Sequence, residues 1–274
     1  MKVKTVFGLL LVLLLSVGAA GQASAANTYS TMQVGSPDCT VVMPWPSSGG
    51  PGNYQYPIIA WANGWDNQGG DTTAGYMGGL SAWALDGPYI VIADNSRSPR
   101  TRDFLACLNW MVNQNTVAGS VFYGKLNTTK IGLSGHSQGG GVAIMSGNSA
   151  YNIVGTIAMN PYQANWKGAE KQKGPVLLFG GTNDTVCPVE TYTQPAFNQI
   201  IKGGKGAVLA VLQGGTHSGE VWQTPDFGRY QTPSNLWWKK LLNNDPNAGG
   251  QLKSILDEDP WTTTYNFTSN FSLP

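Results

Sequence analysis

From residue 40 onward the chain alternates short apolar runs, rich in β-branched residues, with longer stretches whose apolar positions recur at helical spacing. The runs fall near residues 40–43, 57–61, 89–93, 130–134, 153–159, 175–179 and 207–212, and the helical patterns near 73–85, 101–114, 138–147, 189–202 and 234–243. A strand that is apolar at nearly every position must be buried on both faces, and strands that alternate with helices pair in parallel. The pattern therefore predicts an α/β domain, a mainly parallel sheet with helices on both faces. A turn-rich segment, Ser47-Ser48-Gly49-Gly50-Pro51-Gly52, predicts a hairpin that adds an antiparallel strand at the start. The tail from Asp257 to Pro274 is rich in Thr, Asn and aromatics without a clear period, and no role is read from it. No internal repeat is visible, and no inserted helical stretch is large enough to form a lid.

One strand-to-helix junction carries chemistry. The run Lys130-Ile131-Gly132-Leu133-Ser134 gives way to Gly135-His136-Ser137-Gln138-Gly139 and then to the helical Gly140-Gly141-Val142-Ala143-Ile144-Met145. A serine on so sharp a turn needs glycine two positions to either side, where a Cβ would block the approach of strand and helix. Ser137 is thus the candidate nucleophile. Its hydroxyl requires a general base, and the chain holds two histidines, His136 and His217. His136 adjoins the serine, where neighbouring side chains diverge, so packing or hydrogen bonding beside the elbow explains it. His217 lies in the loop Gly214-Gly215-Thr216-His217-Ser218-Gly219, directly after the run 207–212, where the base of such an architecture belongs.

An acid that orients the imidazole is expected between serine and histidine in the chain, on a loop after a strand. Gly174-Pro175-Val176-Leu177-Leu178-Phe179-Gly180-Gly181 reads as that strand and Thr182-Asn183-Asp184-Thr185-Val186-Cys187-Pro188-Val189 as its loop. Asp184 is the candidate. Glu190 is its competitor, but it follows Pro188 at a helix start, where an acid is explained by the helix dipole.

In the order Ser137, Asp184, His217 the chain resembles the α/β-hydrolase superfamily. More narrowly it is similar to secreted cutinases and polyester hydrolases, including poly(ethylene terephthalate) hydrolases. The resemblance spans most of residues 38 to 242. It rests on the elbow 135–140, on Asn183-Asp184-Thr185-Val186-Cys187-Pro188-Val189, and on Ala158-Met159-Asn160-Pro161 followed by Trp166. It implies an α/β-hydrolase fold without a lid domain, and assigns Trp166 to one wall of an ester cleft. Two departures bear on substrate: the segment after the early strand reads Trp61-Ala62-Asn63-Gly64-Trp65 in place of a Pro-Gly-Tyr type, and Gln138 replaces the methionine usual in bacterial polyesterases.

An oxyanion hole completes the requirement. One backbone N–H is expected from Gln138, the residue after the nucleophile, and a second from Trp65, with Gly64 letting the backbone turn inward. The indole of Trp65 is read as an apolar platform over the cleft, and Tyr76 as a cleft residue on a helix or lip after the oxyanion segment. For Trp65, Trp166 and Tyr76 alike, core packing is the competing explanation.

At the start of the chain, Lys2 and Lys4, the apolar stretch Val6 to Val17 and the small residues Ala23-Ser24-Ala25 read as a signal peptide of residues 1–25, with residues 26–274 as one catalytic domain. That predicts a secreted protein with no membrane association after cleavage. The formal net charge is +1 and charged residues make up 11% of the chain, so there is no electrostatic footprint for nucleic acid. Three cysteines, Cys39, Cys107 and Cys187, meet an oxidising compartment. Cys39 begins a strand and Cys107 falls early in a helix on the same side of the nucleophile strand, so Cys39–Cys107 is the preferred disulfide, with Cys187 free. Neither the histidine and cysteine spacings nor the glycine runs suggest a metal or nucleotide site, and no cofactor is expected. The expected activity is hydrolysis of carboxylic esters, extending to polymers, by a monomer. An acetyl or feruloyl esterase, a short-chain lipase, and a non-catalytic binding protein on a hydrolase fold are the alternatives.

Overall fold

The computed structural model describes residues 29–45, 53–65 and 72–274. Its centre is a nine-stranded sheet in the order β1-β2-β4-β3-β5-β6-β7-β8-β9. The strands are β1 (Ser30–Gly35), β2 (Asp38–Met43), β3 (Tyr56–Ala62), β4 (Ile90–Asp94), β5 (Leu126–His136), β6 (Ile153–Met159), β7 (Val176–Gly181), β8 (Ala207–Leu212) and β9 (Trp261–Asn266). From β4 to β8 every neighbouring pair is parallel. At the edges, β1 with β2, β2 with β4, and β8 with β9 are antiparallel.

The parallel strands are buried along nearly their whole length because both faces are covered. Successive residues of β3 show this directly. Ile59 and Trp61 enter one buried cluster, shared with Leu80 and Trp83 of α1 (Thr72–Asp86) and with Trp237 and Trp238 of α5 (Gln231–Leu242). Ile58 and Ala60 enter the opposite one, shared with Phe104 and Leu108 of α2 (Thr101–Gln114) and Val142 of α3 (Gln138–Ser146). A third cluster under α4 (Thr193–Lys202) holds Leu178, Leu209 and Phe197.

Three features depart from the sequence reading. The expected hairpin turn at Ser47 to Gly52 lies outside the described residues, and the strands flanking it are not partners, since β4 sits between β2 and β3. The antiparallel hairpin is instead β1–β2, turning at Ser36-Pro37. The tail forms β9, and ahead of it lies α6 (Ala248–Leu256). Tail residues Trp261, Phe271 and Leu273 are buried in the cluster under α5. The expected signal peptide falls outside the described residues.

Cys39 on β2 and Cys107 on α2 form a disulfide with Cα atoms 6.0 Å apart, the pairing expected from their placement. It closes a span of 68 residues, and in the chain-entropy view a loop of that size stabilises by about 4 kcal/mol. Cys187 is a buried free thiol.

Candidate active site

The site forms where three parallel strands end, β5, β7 and β8, with β6 lying between the first two. β5 delivers Ser137, β7 leads into the loop of Asp184, and β8 into the loop of His217. Ser137 has φ 53° and ψ −123°, a conformation costly for a residue with a Cβ. The flanking glycines make it possible. A Cβ on Gly139 would lie 2.1 Å from the Ala62 carbonyl oxygen, and one on Gly135 would lie 2.4 Å from the backbone of Gly139. Both contacts are with backbone, so neither could be relieved by a side chain moving.

The three side chains expected from the sequence meet in a hydrogen-bonded line. Ser137 Oγ lies 2.9 Å from His217 Nε2, and His217 Nδ1 lies 2.8 Å from Asp184 Oδ2. The other carboxylate oxygen of Asp184 accepts the backbone N–H groups of Cys187 at 2.7 Å and Val186 at 2.9 Å. Burial alone would raise the Asp184 pKa, but the bonds from His217, Cys187 and Val186 outweigh it and hold the carboxyl below its ordinary value. Asp184 is therefore an anion facing the imidazole, which fixes the proton on Nδ1 and leaves Nε2 to accept from the serine. Glu190 is exposed and makes no such contact.

A cleft of about 430 Å³ opens beside Ser137, lined by Trp65, Ser98, Gln138, Tyr162, Val186 and Cys187. Trp65 and Val186 are each 60% exposed, so large apolar surface borders the serine. Gln138 begins α3, and the N–H groups of a helix's first turn have no partner within the helix. Its side-chain amide donates to Ser98 Oγ and the Pro99 carbonyl, both at 3.3 Å. Burial, then the charge of Asp184, push the Cys187 thiol up to about 12, so it remains neutral beside the serine.

Two cleft expectations need correction. Trp166 does not line the cleft. It is 7% exposed and shares the buried cluster of Ile144, Ala169 and Phe197. The chain turns sharply at Asn160, which has φ 45°, and Tyr162 then donates its backbone N–H to the Ser137 carbonyl at 2.8 Å. That bond puts the Tyr162 ring, 41% exposed and 5.1 Å from the ring of Tyr192, on the wall assigned to Trp166. Tyr76 is on a helix, α1, as one of the two expected placements had it, but it does not line the cleft. It is 1% exposed and packs beneath the site between Trp61 and Trp222. In both cases the sequence places an aromatic near the site, and its facing is set by the turn at Asn160 for Trp166 and by the packing of α1 for Tyr76.

Two further residues have partners that the sequence reading did not assign. Asn160 donates from Nδ2 to the carbonyls of Thr216 at 3.0 Å and His217 at 2.8 Å, and its Oδ1 accepts the Tyr230 hydroxyl at 2.9 Å. His136, beside the nucleophile, is buried. Its Nε2 lies 2.8 Å from the His217 carbonyl oxygen and its Nδ1 lies 2.8 Å from the Tyr76 hydroxyl. Burial, followed by the neighbouring His217, lowers its pKa to about 3.

This sets an acid sensitivity. An unfolded His136 takes up a proton below about pH 6.5, whereas the folded one does so only near pH 3, so acidification through that window favours unfolding. The slope for one proton is about 1.4 kcal/mol per pH unit. We expect unfolding midpoints in urea to fall between pH 6.5 and 4 in the wild type, and to fall less steeply in His136→Gln. Parallel profiles for the two proteins would contradict a buried neutral His136.

Comparison with known proteins places this geometry in context. A family model described as PET hydrolase-like matches residues 89–248, more than half of the chain and a span that includes Ser137, Asp184 and His217. Among similar proteins are "Cutinase 2" of Thermobifida cellulosilytica, 28% identical over 146 residues, which are 53% of this chain and 53% of that protein, and "Cutinase cut1" of Thermobifida fusca, 28% identical over the same share of this chain and 43% of its own. A "Bis(hydroxyethyl) terephthalate hydrolase" of Streptomyces coelicolor is 26% identical over 53% of this chain and 44% of its own length. The chain spans about half the length of these relatives.

Proposed function

The chain belongs to the PET hydrolase-like family, and from that premise we propose that it is a secreted carboxylic ester hydrolase whose nucleophile is Ser137, with His217 as general base and Asp184 as the orienting acid. The observation that carries the reading is the continuous line of hydrogen bonds from Ser137 Oγ through His217 to Asp184, at the floor of an apolar cleft.

The geometry supports the following course. Neutral His217 takes the Ser137 proton on Nε2 as Oγ attacks the ester carbonyl, and Asp184 stabilises the imidazolium that results. The backbone N–H groups of Gln138 and Trp65 receive the negative oxygen. His217 then passes its proton to the departing alkoxide, leaving an acyl group on Ser137. Water activated by the same imidazole attacks the acyl carbonyl, and the proton that His217 takes from it passes to Ser137 Oγ as the acid leaves. The apolar lining by Trp65, Tyr162 and Val186 favours acyl or aromatic groups, including those of a polyester. Export is supported by the residue 1–25 pattern, and no helix among the described residues is long and apolar enough to cross a membrane.

The test is a panel of soluble acyl esters of rising chain length, a solid aromatic polyester film and acetylated xylan. Turnover of the soluble esters and film is expected; activity confined to acetylated xylan would overturn the polyester assignment and leave the triad standing. The same panel separates the two aromatics. Tyr162→Ala is expected to lower film hydrolysis selectively, about three- to tenfold, because stacking on one ring is worth about 0.5–1.5 kcal/mol beyond buried area. Trp166→Ala opens a cavity worth about 3–5 kcal/mol, and should reduce the melting temperature on the order of 10 °C with no preference between substrates. A film-selective defect in Trp166→Ala would return that residue to the cleft.

A further inference from the structure

The mechanism requires two backbone elements to keep a fixed separation, the segment that carries the Trp65 N–H and the loop that carries His217. Neither is rigid by composition. Gly64 precedes Trp65, and His217 is embedded in Gly214-Gly215-Thr216-His217-Ser218-Gly219. Yet one pair of buried side chains touches both. The Tyr76 hydroxyl lies 3.1 Å from the Gly64 backbone N–H and 2.8 Å from His136 Nδ1, and His136 Nε2 lies 2.8 Å from the His217 carbonyl oxygen.

The proton positions follow from donor chemistry. A carbonyl only accepts, so His136 carries its proton on Nε2 and donates to His217. Nδ1 of the neutral ring must then accept, and the Tyr76 hydroxyl supplies that proton while its oxygen accepts the Gly64 N–H. The contacts run in one direction, Gly64 to Tyr76 to His136 to His217, with no donor facing a donor. Gly64 shows how close the approach is. A Cβ there would lie 2.9 Å from the Tyr76 hydroxyl oxygen and 3.0 Å from His136 Nδ1, so only the bare backbone fits over the pair. The second donor on the His217 carbonyl, Asn160, fixes it from the β6 side.

We propose that Tyr76 and His136 are positioning residues that act as one unit, tying the oxyanion segment at Gly64 to the backbone of the general base. The proposal rests on the esterase reading above. Tyr76 sits on α1, and its ring packs against the buried Trp61, with centroids 5.0 Å apart, and against the partly exposed Trp222, 5.6 Å apart, so Trp61 anchors the link in the core. The link acts through placement of the backbone and of the base, since His136 holds the His217 carbonyl and packs its ring against the His217 ring, with centroids 4.8 Å apart.

The experiment measures kcat and KM on a soluble acetyl ester, the rate of Ser137 phosphonylation by a fluorophosphonate, and the melting temperature, for wild type, Tyr76→Phe, His136→Phe and the double variant. A displacement of about 1 Å in a catalytic group costs up to about 100-fold, so kcat and phosphonylation in each single variant should fall about 10- to 100-fold with KM within about threefold. The double variant should be no slower than the slower single one, because either change already breaks the link. His136→Gln keeps a donor and an acceptor and should recover part of the loss seen in His136→Phe. Should Tyr76→Phe fail to fold, the comparison of His136→Gln with His136→Phe carries the same test. In an active wild type, unchanged kcat and phosphonylation in Tyr76→Phe would overturn the proposal. So would losses that multiply in the double variant and follow the fall in melting temperature. A wild type inert to both ester and fluorophosphonate would remove the esterase reading and this proposal with it.

Discussion

Ser137→Ala is expected to lower kcat on a soluble ester by about 10⁶, the scale for loss of a triad nucleophile, while the protein stays folded. The two halves of this expectation have separate physical causes. In the proposed mechanism the hydroxyl forms the acyl bond, and no other nucleophile lining the cleft can replace it. Cys187 lines the same cleft, but burial and the adjacent Asp184 carboxylate keep its thiol protonated, so it stays a weak nucleophile. The elbow's backbone, by contrast, depends on the missing side chains of Gly135 and Gly139 and on Ser137 having no more than a small Cβ substituent. Alanine meets that condition. Circular dichroism and the melting temperature should therefore match the wild type within a few degrees. Retention of more than about a hundredth of wild-type turnover, after contaminating esterase is excluded by fluorophosphonate labelling, would show that Ser137 is not the nucleophile.

What could be read from the sequence depended on how strongly each element advertises itself. The buried parallel strands β3, β4, β6, β7 and β8 are apolar at nearly every position, and their limits agree with the pattern to within a residue or two. The edge strands were hidden for the opposite reason. β1 alternates half-buried and exposed residues, and in β9 only Trp261 is fully buried, so neither has an apolar run to find. α6 begins Ala-Gly-Gly, a poor helix former, and is held by burying Leu252 and Leu256 against the sheet. At the site, Ser137, Asp184 and His217 were legible because their order and their places after strands constrain them. The facing of Trp166 and Tyr162 was not. It depends on the left-handed turn at Asn160 and on one backbone bond to Ser137, and neither leaves a periodic mark. His136 was legible as a packed neighbour of the elbow, but its bond to His217 links residues 81 apart and needed the three-dimensional structure.

Asp184→Asn should cost about 10⁴ in kcat with little change in KM, because the substitution preserves shape and reverses a proton. Oδ1 accepts two backbone N–H groups, from Val186 and Cys187, so the amide of the variant must place its oxygen there to avoid donor facing donor. Its NH2 then points at His217 Nδ1, where the carboxylate accepted a proton at 2.8 Å. The imidazole answers by moving its proton to Nε2. That nitrogen faces Ser137 Oγ at 2.9 Å and can no longer accept from it. Stability has a separate signature. The wild-type carboxyl is held below its ordinary value of 3.8 in the folded chain, so its contribution is present above that pH and is lost as the pH falls through the folded value. Asp184→Asn lacks this titration, and its unfolding midpoint should change less than the wild type's on acidification below about pH 4. The KM-against-kcat split is the decisive readout. A variant that keeps more than a tenth of wild-type kcat would mean that another acid orients His217, and Glu190 on the same loop would be the next residue to replace.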